Sequence, residues 1–159
     1  MPESSWPAHA NALLEELSRS PGRIALIESG PWADACVAKL GDALELTPVS
    51  VGGALTLGET APSAGDVPAL IGDAVLLTDL DILFWPEFAM NPIGLLRSLS
   101  RVKPRISVWP GVLEGHRALY SQPGRRDRFE TILSDAVILV PRQVHFPDEV
   151  PYTAERIPA

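Results

Sequence analysis

Residues 74–87, AVLLTDLDILFWPE, constrain the fold more than any other stretch. An unbroken apolar run, Ala74-Val75-Leu76-Leu77, meets two acids, Asp79 and Asp81, and a second apolar run follows, Ile82-Leu83-Phe84-Trp85. A strand whose apolar residues do not alternate is covered on both faces, which is the condition of a central strand in a parallel sheet. The acids fall where that strand ends, the edge at which open α/β sheets hold their ligands. In nucleotide-hydrolysing P-loop proteins an acid here holds magnesium. The plainer reading is that both acids cap the next turn or stay solvated.

Four other stretches read as strands: 23–28 (RIALIE), 44–51 (LELTPVSV, with Pro48 suggesting a sheet edge), 105–109 (RISVW) and 136–140 (AVILV). Helical spacing connects them. A first helix starts at Ser4 or Ser5 and carries Leu13, Leu14 and Leu17. A second runs over 32–40 with Gly41 as its C-cap, and a brief one covers 67–71. Asn91-Pro92 opens a fourth, with Ile93, Leu95, Leu96 and Leu99 on one face. Residues 115–120 and 127–133 read as two more helices. Residues 52–65 read as a long loop with at most a short turn of helix. Strands alternating with helices predict an α/β fold: three layers, a mostly parallel five-stranded sheet and helices on both faces. Residues 1–142 form one such domain with an N-terminal helix, and the proline-rich residues 143–159 are expected as an extended tail on the surface or on a partner.

Bulk properties remove several functions. A formal net charge of −7 argues against a generally basic nucleic-acid binder. The single cysteine, Cys36, excludes an internal disulfide and a cysteine-rich metal site. His9, His116 and His145 are far apart and not at ligand spacing, so no metal site is expected. No apolar run reaches the roughly 18 residues of a membrane span, and the polar N-terminus lacks a secretory pattern. A cytoplasmic protein is expected.

The turn after the first strand is the natural place for a phosphate. A phosphate loop, G-x-x-x-x-G-K-[ST], uses glycines to bring backbone N–H groups close, a lysine to reach the phosphates and a hydroxyl to hold magnesium. Aligned on Gly30, the chain reads Gly30-Pro31-Trp32-Ala33-Asp34-Ala35-Cys36-Val37. Ala35 replaces the second glycine, Cys36 the lysine and Val37 the hydroxyl residue. Asp34 adds a charge that repels phosphate. Catalysis by the P-loop route is therefore not expected, nor is ATP with magnesium as a resident cofactor. Otherwise this is an ordinary βα turn.

Eight of the thirteen basic residues lie between 97 and 128, opposed there only by Glu114 and Asp127. Arg101, Arg125, Arg126 and Arg128 are the candidates for contacting an anion or a nucleic-acid backbone; the alternative is a solvated, ion-paired face. Phe84, Trp85 and Trp109 follow strand ends and are read either as core or as a contact with another subunit.

The succession Leu80-Asp81-Ile82-Leu83-Phe84, Asn91-Pro92, Leu95-Leu96, Leu99-Ser100-Arg101, Val108-Trp109-Pro110-Gly111 and Leu119-Tyr120 followed by Pro123 resembles the small P-loop protein BrxF of BREX phage-resistance systems. The resemblance implies a RecA-like P-loop NTPase fold, with Asp79 and Asp81 in the magnesium-holding acid region. It also implies membership of a multi-subunit bacterial defence system acting on DNA. The chain departs from that family at Cys36 and Val37, which leaves the scaffold without its phosphate grip. Gly30, Asp79 and Asp81 then remain as a degenerate nucleotide site. The expected partners are other subunits of a defence complex or further copies of the chain, with nucleic acid through residues 97–128 and no membrane. The competing readings are an ATPase-like nucleotide binder, a DNA-binding accessory, and a RecA-like regulator of a filament-forming partner in the manner of SulA.

Overall fold

A computed structural model describes residues 6–56 and 64–159. The expected helix start at Ser4 or Ser5, and residues 57–63 of the expected loop, lie outside the described residues.

Four consecutive buried apolar residues form β1 (Ile24–Ile27), and the main sheet grows from both its edges. With β2 (Val49–Ser50), β3 (Leu76–Thr78), β4 (Ile106–Val108), β8 (Ala136–Pro141) and β9 (Tyr152–Ile157), the order is β2-β3-β4-β1-β8-β9. The sheet has six strands, not five. All neighbours are parallel except β9, which runs antiparallel to β8. The sixth strand comes out of the proline-rich segment after residue 142. The centre is β4 and β1; β3 is not central but second from the edge, beside β2.

The unbroken apolar runs are two alternating sets laid on opposite faces. Ala25, Ile27, Ile106, Val137 and Leu139 pack with α1 (Trp6–Arg19) and α2 (Ala33–Leu44). Ile24, Leu26, Leu77 and Ile138 pack on the other side with α3 (Val51–Thr56), α4 (Val67–Ile71) and α5 (Pro92–Ser100). Helices thus cover both faces. Asn91 caps α5 as its sequence suggests: its side chain accepts the Gly94 N–H at 3.1 Å, with Pro92 inside the first turn.

Three expectations for local structure are corrected. Gly41 does not end α2; the helix runs on to Leu44 and stops at Glu45, which is left-handed at φ 55°. Gly41 is required for a different reason, because a Cβ there would sit 2.7 Å from the Leu46 carbonyl oxygen. The expected strand over 44–51 shrinks to two residues, since Leu44 belongs to α2, Val51 to α3, and residues 46–48 are irregular. The short turn of helix allowed within the expected loop 52–65 is present: residues through Thr56 are helical, and Ala64–Asp66 form a 3₁₀ turn. The helices expected over 115–120 and 127–133 are strands. β5 (Val112–Glu114), β6 (Arg117–Tyr120) and β7 (Phe129–Ile132) form a separate antiparallel sheet in the order β5-β6-β7. Glu114 pairs Arg117 across a two-residue turn whose first position is Gly115 at φ 59°. A hairpin turn of that length needs such a residue.

Candidate functional site

α2, which follows β1, packs on one face of the sheet, and the connection that follows the adjacent β4 packs on the other. Neighbouring strands whose connections leave to opposite faces open a crevice at their carboxyl ends, the usual ligand position in such sheets. The Gly30 turn lies there. Gly30 is exposed, and a Cβ on it would meet nothing within 4 Å. Ser29 Oγ donates to the Gly111 carbonyl at 2.9 Å, tying this turn to the one after β4.

The first turn of α2 decides what this crevice can hold. The helix begins at Ala33, so the residues exposed at its start are Asp34 and Ala35. Cys36 and Val37 lie in the core against α1 and the sheet. The alignment on Gly30 assigns the lysine and hydroxyl positions to Cys36 and Val37, but neither side chain faces the crevice. In space, Asp34 is what stands at the positive end of the helix, where an anion is stabilised. Burial pushes the Cys36 thiol up to about 12, so it is an inert core group at neutral pH.

Asp79 and Asp81 follow β3 directly and are both exposed. Asp79 is left-handed at φ 55°. Its carboxylate accepts Ser50 Oγ at 2.6 Å, and its carbonyl accepts the Gly52 N–H at 3.0 Å. Asp79 therefore joins the ends of β2 and β3. No side-chain cap holds the 3₁₀ turn that follows (Leu80–Phe84). Asp81 accepts Tyr120 Oη at 3.4 Å. Burial first, and the Asp81 charge second, push the Tyr120 phenol up, so it stays a donor.

The basic segment does not form one surface. Arg97 donates to the Gly22 and Asp135 carbonyls at 3.2 and 3.3 Å and to that of Ser134, and Arg101 lies against Gly22. Both sit at the amino end of β1, opposite the crevice. Arg105 is buried, donating to the Gly72, Ala74 and Lys103 carbonyls. Arg125, Arg126 and Arg128 belong instead to the β6–β7 connection. There Arg125 meets Asp127 at 3.4 Å and Arg128 meets Glu130 at 2.9 Å.

The aromatic candidates divide as well. Phe84 stacks on Tyr120 at 3.9 Å and meets Trp109 and Phe129 edge-on at 5.4 and 5.6 Å. Trp109 is fully buried and its Nε1 donates to the Leu119 carbonyl at 3.0 Å. Phe84 and Trp109 are thus core, joining the second sheet to the first, and are not available to a partner. Trp85 is 51% exposed. Tyr120 and Phe129 complete the cluster. Their signal in the sequence is a period of two, with Ala118 and Tyr120, then Phe129 and Thr131, facing inward.

Among the described residues no group of His, Cys, Asp or Glu gathers where a metal ion could be held, and no helix is long and apolar enough to cross a membrane. Searches against protein-family models, curated proteins and solved structures each find no match.

Proposed function

We propose that the chain is a non-catalytic protein on a RecA-like P-loop scaffold, acting as an interaction subunit of a BREX-like bacterial phage-defence complex. The scaffold reading is supported by topology. The sheet is parallel from β2 to β8, Gly30 follows β1, the place of a phosphate loop, and Asp79 follows β3, the place of a magnesium-holding acid. The defence reading is supported by the succession of motifs from Leu80 to Pro123.

One observation carries the non-catalytic reading: α2 starts with Asp34 exposed and with Cys36 and Val37 in the core. A carboxylate exposed at the start of that helix repels the phosphates that a lysine would attract. Calorimetric titration with magnesium ATP tests it, with no heat of binding expected. Micromolar affinity would overturn the non-catalytic reading in favour of an ATPase-like protein. Co-expression with the methyltransferase and phosphatase-like subunits of a BREX-type system tests the assignment to the complex. A stoichiometric assembly supports it, and a chain that elutes alone from every combination refutes it.

A further inference from the structure

A groove of about 140 Å³ lies between the 3₁₀ turns after β3 and the β6–β7 connection. Its apolar walls include Phe84, Trp85, Met90 and Phe129, and Arg126 and Arg128 stand on its far side with Asp127. Ligand pockets for drug-sized molecules run to about 300 Å³ or more, so this one suits a single flat ring. Trp85 lies nearly parallel to Phe88, at 18° and 6.2 Å between centroids, and still keeps half of its surface exposed. A large ring backed by another ring and left open to solvent is a stacking platform.

Arginines stand beside that platform in a chain of net charge −7. Arg126 and Arg128 line the groove with Asp127, Arg125 and Glu130 pair with this set, and Asp81 lies nearby against Tyr120. Asp127 is held by Ser121 at 2.6 Å and by Arg125, and Glu130 is shared by Arg117 and Arg128. The Ser121 hydroxyl above all, with Arg125 adding to it, holds the Asp127 carboxyl below the ordinary carboxylate range, so it remains a fixed partner of this loop at neutral pH. Arg126 is exposed beside the groove.

We infer that this groove binds one unpaired nucleotide unit, its base stacked on Trp85 and its phosphate on Arg126. The paired bases of a duplex are already stacked on each other, so the ligand is a single strand or a free nucleotide. Stacking is sequence-tolerant, because every base has a flat face. The site is separate from the Gly30 crevice, so it stands whether or not the P-loop reading does.

The test uses the full chain and fluorescence anisotropy of a labelled oligothymidylate of about twelve nucleotides, a length within the reach of single-strand sites. Trp85→Ala and Arg126→Ala should each weaken binding by about tenfold, and Trp85→Phe should keep most of it. Arg126→Ala should also flatten the slope of log affinity against log salt by about 0.7, the share of one phosphate on a single strand. Both side chains are exposed, so thermal midpoints should stay at the wild-type value. Thymidine monophosphate, as competitor, separates the sources. Displacement at an affinity near that of the oligonucleotide identifies a free nucleotide as the ligand; failure to displace identifies a strand, and either supports the site. Three results overturn it: no binding up to about 100 µM, the weak end of non-specific contacts; wild-type affinity in Trp85→Ala; or equal binding of polyglutamate that depends on Arg126 but not on Trp85, which would make the groove an acidic-peptide site.

Discussion

Glu16 holds two arginines at once. Its carboxylate accepts Arg156 Nε at 2.9 Å and Arg23 at 3.2 Å, and Arg23 reaches on to Asp135 at 2.8 Å. One side chain thereby links α1, the start of β1 and β9. Only 17% of it is exposed, so the network is better shielded than a surface pair. The hydrogen bond from Arg156 is the main cause that lowers the Glu16 carboxyl below its ordinary value of 4.5. A depressed folded value means that the stabilisation is complete above the unfolded value and fades as pH falls through the folded one. Glu16→Gln should cost about 1 kcal/mol at pH 7. The gap in melting midpoint between the two proteins should begin to narrow near pH 4.5, where the unfolded carboxyl protonates, and close once pH falls below the lower folded value. A gap that persists unchanged at pH 3 would assign the loss to packing. Arg105 works differently: among the described residues no carboxylate forms an ion pair with it, although the Asp73 charge acts on it from nearby. Burial lowers its guanidinium, yet Arg105 remains the donor to three carbonyls, Gly72 at 2.7 Å, Ala74 at 2.9 Å and Lys103 at 3.1 Å. Arg105→Met fills the volume but orphans those acceptors, and should cost about 3 kcal/mol by urea unfolding. Side-chain fates of this kind were the least legible part of the sequence. Phe84 and Trp85 are adjacent and equally aromatic, but a 3₁₀ turn ends between them, sending one into the core and leaving the other half exposed.

At the scale of elements, legibility followed burial. Strands with both faces covered are largely apolar, the buried Ser107 of β4 aside, so β1, β3, β4 and β8 announced themselves. The second sheet did not. Its strands have one face exposed, and their alternation is masked: Ile132 is exposed where a polar residue is expected, and Ala118 and Leu119 are good helix formers. Tertiary contact overrides that preference. Trp109, at the end of β4, donates to the Leu119 carbonyl of β6, and Gly111 passes so close to the same carbonyl that a Cβ would overlap it. The hairpin is thereby pinned to the main sheet by backbone atoms as well as by rings. Trp109→Phe keeps an aromatic ring against Phe84 but removes the Nε1 donor to the half-buried Leu119 carbonyl. The expected loss is about 1–3 kcal/mol, with faster hydrogen exchange at the β6 amides than at those of β1. Equal acceleration in both sheets would mean that they unfold as one unit. The candidate site was legible as a place, the carboxyl ends of β1 and β3, but not as a set of side chains. A linear alignment counts residues, whereas the start of α2 at Ala33 decides which of them face outward.

For the whole molecule, the segment after residue 142 is decisive because it closes the sheet. β9 pairs with β8 over six positions, from Ala136 with Ile157 to Pro141 with Tyr152. Tyr152 and Ile157 are only 7% and 4% exposed, and Tyr152 meets Trp6 of α1 edge-on at 6.3 Å. Ahead of the strand, Lys39 of α2 donates to the Pro147 and Glu149 carbonyls at 3.2 Å each and lies over the Trp6 ring. Removal of residues 143–159 would strip one edge of β8, whose first four residues are buried, and would uncover the end of α1. Burying a large apolar side chain contributes about 1.5–3 kcal/mol, so Tyr152 and Ile157 alone account for about 3–6 kcal/mol. A small domain has about 5–15 kcal/mol in total, so the truncated chain should lose cooperative melting or aggregate through the bared β8 edge. Circular dichroism melts and sedimentation of the truncated and full chains check this directly. A strand already paired within its own chain is not free to dock on a partner. If the truncated chain instead melts at the full-length midpoint, β9 contributes nothing to the fold and the segment returns to the role of a free arm.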